Sequence, residues 1–160
     1  GESYLPDVTS DELAALTSGS RSSHPAAFAA GGRRPGRLTA EANFAPLEDA
    51  DVVIVCVPTP LSKTKDPDLS LIVAVTSEIA HRLHSGMLVV LESTTYPGTT
   101  EEVILPSLES AKGLSFRAGA DFFLAYSPER IDPGRKDWTI RNTPKVMGGV
   151  TPRCLEVQCA

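Results

Sequence analysis

With 160 residues, a net charge of -5, 41% hydrophobic and 22% charged residues, the chain has the size and balance of one soluble globular domain. That charge offers no broad basic surface for nucleic acid, and the longest apolar runs fall well short of the roughly 18 residues a membrane span needs. Three cysteines without a framework spacing, and no basic and apolar leading segment, read as reduced thiols of a cytoplasmic protein.

In chain order, Thr9-x-x-Glu12 is a capping-box pattern that opens a helix over Asp11 to Thr17, with apolar Leu13 and Leu16 and a stop near Gly19. Residues 18–37 are rich in Ser, Gly, Arg, Pro and Ala and read as a flexible surface insertion. Its arginines (Arg21, Arg33, Arg34, Arg37) read as solvated. Leu38 to Ala42 is expected as a short strand and Phe44 to Asp49 as a helical turn. Asp51 to Val57 is a continuous β-branched run, the pattern of a strand buried on both faces of a parallel sheet, with Cys56 as a small core residue. Ser70 to Leu83 predicts a helix on a Leu71, Val75, Glu78/Ile79, Leu83 period, ended at Gly86. Met87 to Leu91 is a second buried strand. Thr99-x-x-Glu102 predicts a further capping box and a helix to about Ser110, kinked or shortened by Pro106. Phe122 to Tyr126 is a third strand and Lys145 to Gly149 a short fourth. Pro152 suits the first turn of a last helix.

Strand–loop–helix alternation implies an α/β, Rossmann-like parallel sheet with flanking helices and right-handed crossovers. No Gly-x-Gly-x-x-Gly occurs, so the sheet is expected to be incomplete at its N-terminus, lacking the usual pyrophosphate cradle. The far end stops inside a helix. Both ends read as continuing into a larger enzyme.

Three polar loops follow the apolar strands: Cys56-Val57-Pro58-Thr59-Pro60-Leu61, Glu92-Ser93-Thr94-Thr95-Tyr96-Pro97-Gly98, and Tyr126-Ser127-Pro128-Glu129-Arg130-Ile131-Asp132-Pro133-Gly134. In open α/β sheets ligands bind in the crevice at the carboxyl ends of the strands, so three such loops predict one shared site. Hydroxyls, a carboxylate and a guanidinium suit a cofactor and a phosphorylated, hydroxyl-rich substrate. Two prolines hold Thr59 and remove backbone donors. Ser93 and Thr94 can hold a water or a ribose, or merely cap local backbone. A carboxylate such as Glu129 in a crevice can act as a base through water, or pair with Arg130. The planar fork of Arg130 suits a diphosphate. His24, His81 and His84 have no carboxylate or cysteine to complete a metal site, and His81 and His84 read as a solvated helix end. Packing and a turn account for Trp138 and Asn142.

At these loops the sequence resembles the UDP-glucose/GDP-mannose dehydrogenase family of nucleotide-sugar 6-dehydrogenases. Glu92 to Glu102 and Ser127-Pro128-Glu129-Arg130-Ile131-x-Pro133-Gly134 look most like the UDP-N-acetyl-hexosamine 6-dehydrogenase branch. The resemblance spans about residues 1–17 and 38–157. It implies an NAD-dependent, four-electron oxidation of a sugar C6 alcohol to a carboxylate, through a thiohemiacetal and a thioester on a cysteine. It also implies two Rossmann-like domains joined by a long helix, in a homo-oligomer. Residues 1–160 would be a partial NAD-binding domain, without the central helix and C-terminal domain. Carried onto this chain, the resemblance assigns cofactor contacts to Val57, Pro58, Thr59, Ser93, Thr94 and Glu129, catalytic roles to Thr94 and Glu129, and substrate contact to Arg130. None of Cys56, Cys154 or Cys159 matches the family's nucleophilic cysteine. UDP-glucose and GDP-mannose are alternative substrates, and a non-catalytic binding or dimerisation module is the alternative from another class.

Overall fold

The computed structural model of the chain describes residues 9–17, 38–61, 67–113, 115–130, 137–138 and 142–160. The expected insertion at 18–37 and the loop residues Ile131 to Gly134 lie outside the described residues. Residues 1–42 and 43–160 form separate compact units. In the first, helix α1 (Ser10–Thr17) starts on the expected box: the Glu12 N–H donates to Thr9 Oγ1 at 3.2 Å, and the Thr9 N–H to Glu12 Oε2 at 2.9 Å. No strand forms over residues 38–42.

The second unit is built on a four-stranded sheet in the order β1 (Val52–Val55), β2 (Leu88–Leu91), β3 (Phe123–Tyr126), β4 (Gly148–Gly149). The first three strands are parallel, with Val55, Leu91 and Tyr126 in register. β4 runs antiparallel to β3, so the sheet is mixed, and the fourth strand is shorter than its sequence suggests. Parallel neighbours need a crossover connection, which an antiparallel neighbour does not.

Helix α2 (Ser70–Arg82) and the segment after β2 cover one face of the sheet. Val53, Val55, Val89, Leu91 and Leu124 project into that side, against Ile72, Ile79, Leu83, Ile104 and Leu108. Each fully buried aliphatic side chain here stabilises by about 1.5–3 kcal/mol. The buried stripe of α2 is Ile72, Thr76, Ile79 and Ala80; of the expected period Ile79 and Leu83 are buried and Val75 packs against the core, whereas Leu71 is exposed. The run Leu71-Ile72-Val73-Ala74-Val75 is apolar around the whole helix, so periodicity alone does not choose its inner face.

The opposite face carries Leu88, Val90 and Ala125 with Phe123, and helix α4 (Pro152–Gln158) contributes Val157 there. Thr151 caps α4, its Oγ1 accepting the Cys154 N–H at 3.1 Å, with Pro152 in the first turn as expected. β1 is the edge strand of the described sheet and is buried on one face only: Val52 and Ile54 are 53% and 56% exposed. The expectation of burial on both faces is thereby corrected for β1. It holds for β2, whose four residues are all buried between β1 and β3.

The second capping box does not form. Thr99 is buried and helical, and its hydroxyl donates to Tyr96 O at 2.9 Å. The helix opens one residue earlier, at the positive-φ Gly98, whose carbonyl accepts the Glu102 N–H at 2.7 Å. It runs as a π-turn over Thr100–Ile104 and continues as α3 (Leu105–Glu109). Pro106 has no N–H and its ring would strike the Glu102 carbonyl in a regular α-helix. The wider π-turn, with the Leu105 N–H bonded to Thr100 O, carries the helix past the proline.

Candidate functional site at the carboxyl edge of the sheet

The parallel register continues one residue beyond the strands and sets Cys56, Glu92 and Ser127 side by side. By strand alternation all three lie on the face of Val52, Ile54, Leu88, Val90 and Ala125. Cys56 Sγ lies 3.8 Å from Glu92 Oε2, Glu92 Oε1 lies 2.8 Å from Lys145 Nζ, and Ser127 Oγ donates to Val146 O at 3.0 Å. A polar row thus closes the apolar sheet at the edge from which all three loops leave. Cys56 is exposed rather than a core residue, because β1 ends at Val55 and its outer face is uncovered. Partial burial is the first cause that pushes the Cys56 thiol above its ordinary range, followed by the charge and hydrogen bond of Glu92.

The loops after β1 and β2 interlock. Ser93 is buried, and its hydroxyl donates to Val57 O at 2.8 Å and to Val55 O at 3.3 Å. Thr59 Oγ1 donates to Thr94 O at 2.8 Å. Ser93 is therefore turned into the loop and holds it, whereas Thr94 is exposed and its hydroxyl bonds to no described residue. Pro58 is exposed, and Val57 and Thr59 are half-buried beside it.

In the third loop Glu129 and Arg130 are exposed, and the Arg130 N–H donates to Glu129 Oε1 at 2.6 Å. Ser127, buried at the loop stem, is held by its hydroxyl on Val146 O and by its own N–H on Leu91 O at 2.9 Å. Beside this stem, a cleft of about 250 Å³ lies between Gly98, Thr100 and Glu101 on one side and Tyr126, Gly148, Gly149 and Val150 on the other.

Away from this edge, His81 is exposed, with Nδ1 2.7 Å from Ser77 O, and among the described residues no cluster of His, Cys, Asp and Glu suits a metal ion. Trp138 is 41% exposed, which corrects its expected packing role, while Asn142 makes the expected turn, donating to Asp137 O at 3.0 Å. No helix of the described residues is long and apolar enough to cross a membrane.

Residues 18–159 match the model of the UDP-glucose/GDP-mannose dehydrogenase family, NAD binding domain. The chain belongs to the UDP-glucose/GDP-mannose dehydrogenase family. Residues 1–17, which the resemblance also took in, lie outside that match. A UDP-N-acetyl-D-glucosamine 6-dehydrogenase of Pseudomonas aeruginosa is 44% identical over 115 residues, 72% of this chain and 27% of that protein. A UDP-N-acetyl-D-mannosamine dehydrogenase of Pyrococcus horikoshii is 39% identical over 122 residues, 76% of this chain and 28% of that protein. The crystal structure of an NDP-N-acetyl-D-galactosaminuronic acid dehydrogenase from Methanosarcina mazei Go1 superposes with a TM-score of 0.63 at 37% identity, covering 71% of this chain and 24% of that one. The chain thus spans about a quarter of the relatives it matches, within their NAD-binding domain.

The edge loops present an exposed Thr94 hydroxyl and the proline-held Thr59, neutral hydroxyl and carbonyl groups of the kind that suit an amide and a ribose. The sequence holds no glycine-rich pyrophosphate turn. Sequence reasoning missed the contacts of Glu92 with Lys145 and of Ser127 with Val146 that hold the loop stems together. The one available signal was a charged residue at each of two strand boundaries, and only the fold pairs them.

Proposed function

We propose that this chain forms part of an NAD-dependent nucleotide-sugar 6-dehydrogenase that oxidises the C6 alcohol of a UDP-N-acetyl-hexosamine to a uronic acid. The observation that carries the reading is the interlocked edge: Thr59 bonds to Thr94 O, Ser93 bonds to Val57 O, and Glu129 stands on the neighbouring strand's loop.

Bound NAD supplies the hydride acceptor, and two NAD molecules are consumed for each carboxylate formed. Over the whole reaction one water oxygen enters the product. Val57, Pro58 and Thr59 form one wall of the nicotinamide site, held in shape by the buried Ser93 hydroxyl. Thr94 offers its exposed hydroxyl to the attacking water. Glu129 takes a proton from that water, a role that typically supplies about 10²–10⁴-fold in rate. Arg130 grips the substrate diphosphate, where its fork makes paired charge-assisted hydrogen bonds. The working enzyme is proposed to be a cytoplasmic homo-oligomer.

The test is NADH formation by a full-length protein carrying this segment, offered UDP-N-acetylglucosamine, UDP-N-acetylmannosamine, UDP-glucose and GDP-mannose in turn. Turnover that is fastest with a UDP-N-acetyl-hexosamine is expected. Preference for UDP-glucose or GDP-mannose would move the substrate assignment, and no NADH with any of them would favour a non-catalytic module.

A further inference from the structure

Two adjacent residues of the segment before β4 hold the stems of two different loops. Lys145 Nζ lies 2.8 Å from Glu92 Oε1, and the carbonyl of the next residue, Val146, accepts the Ser127 hydroxyl at 3.0 Å. Glu92 directly precedes Ser93-Thr94, and Ser127 lies two residues before Glu129. The second oxygen of the Glu92 carboxylate, Oε2, lies 3.8 Å from Cys56 Sγ, at the root of the first loop. One short segment therefore touches the roots of the loops after β2 and β3, and reaches that after β1 through a single carboxylate.

The Lys145–Glu92 pair differs from the other ion pairs of the described residues. Arg82–Glu78, Arg117–Asp121 and Arg153–Glu156 join residues three or four apart. Pairs of that kind contribute little to stability. Lys145 and Glu92 join distant parts of the chain, with side chains 44% and 24% exposed, so sequence separation rather than burial sets this pair apart. A bridge of this kind fixes a distance between loops, and reaction rate is far more sensitive than folding to such a distance.

We propose that Lys145 is a positioning residue: through Glu92 on one side and the Val146–Ser127 hydrogen bond on the other, it sets the spacing between the Thr94 loop and the Glu129 loop. The proposal rests on the roles given above to Thr94 and Glu129.

The experiment compares Lys145→Met, Lys145→Arg, Glu92→Gln and the reversed pair Glu92→Lys/Lys145→Glu in the full-length enzyme, with Arg153→Met as a control that breaks an ordinary helix pair. Lys145→Met and Glu92→Gln are expected to lower kcat about tenfold or more, within the scale of a small misplacement of reacting groups. The KM for the nucleotide sugar should change by less than about twofold. Lys145→Arg should recover most of kcat, and the reversed pair should exceed Glu92→Lys and Lys145→Glu made singly. Amide hydrogen exchange gives a second readout that needs no turnover: Lys145→Met should speed exchange in both the 93–98 and 127–130 loops, and Arg153→Met in neither. An unchanged kcat with unchanged exchange would overturn the proposal, as would losses equal to those of Arg153→Met. If the unmodified enzyme shows no turnover, the proposed function fails, and loop exchange alone then decides whether Lys145 positions the loops.

Discussion

Thr59 Oγ1 donates to the carbonyl oxygen of Thr94 across 2.8 Å, and this bond ties the loop after β1 to the loop after β2. Pro58 and Pro60 on either side of Thr59 have no N–H to offer, so the hydroxyl is the donor that joins these loops at this point. Replacing Thr59 by Val keeps the shape and removes the bond. A hydrogen bond of this kind contributes about 0.5–1.5 kcal/mol, so the KM for NAD should rise by at most roughly two- to thirteenfold. Thr59→Ser, which retains the donor, should stay near the parent value. Steady-state kinetics with varied NAD checks both.

Glu129→Gln should act on rate and hardly on binding. The amide keeps the side-chain shape but cannot take a proton from water, so kcat should fall by about 10²–10⁴-fold. KM should stay within a small factor, because the lost interaction belongs to the transition state. The melting temperature should move little, since Glu129 is exposed. A near-normal kcat together with a lowered melting temperature would make Glu129 a structural residue.

Cys56 should be slow to alkylate at neutral pH. Partial burial, then the Glu92 charge and hydrogen bond, push its thiol above the ordinary 9.0, and the Glu129 charge adds to this while Lys145 opposes it. A raised folded-state value means that the neutral thiol is the favoured form. Its contribution to stability is present below the ordinary value and is lost as pH rises through the raised one. The pH midpoint of iodoacetamide labelling, followed in a Cys159→Ser background, should lie above 9.0. Glu92→Gln should lower that midpoint and Lys145→Met should raise it.

The two glycines of β4 should respond differently to a methyl group. A Cβ on Gly149 would press on the Leu155 backbone nitrogen and lie 2.8 Å from the Cys154 carbonyl carbon, where α4 crosses the strand. A Cβ on Gly148 would meet nothing within 4 Å. Gly149→Ala should therefore cost about 1–3 kcal/mol, the range of overpacked sites. Gly148→Ala should be near neutral. Thermal melting of the two variants side by side tests the close approach.

Much of this architecture is legible in the order of residues. The apolar run Met87 to Leu91 contains a strand buried on both faces, and β2 has that burial because it lies between two parallel neighbours. The loops at Thr59, Thr94 and Glu129 were placed at strand ends by the same pattern, and they do leave one edge of the sheet. Thr9 and Glu12 form their capping box because both halves of it are local.

Other features depend on contacts that no local window holds. The run Asp51 to Val57 reads like that of β2, yet Val52 and Ile54 are exposed because β1 is an edge strand, and Cys56 follows them to the surface. Thr99 has the spacing of a cap, but burial turns its hydroxyl to Tyr96 O, and Pro106 then drives the helix into a π-turn. Periodicity, chain stiffness and turn chemistry act between near neighbours, so the sequence by itself determined which segments are strands and helices and which loops carry the polar groups. Only the tertiary structure decided which faces are covered, the direction of β4 and the pairing of Lys145 with Glu92, because each needs chain segments brought together from far apart in the sequence.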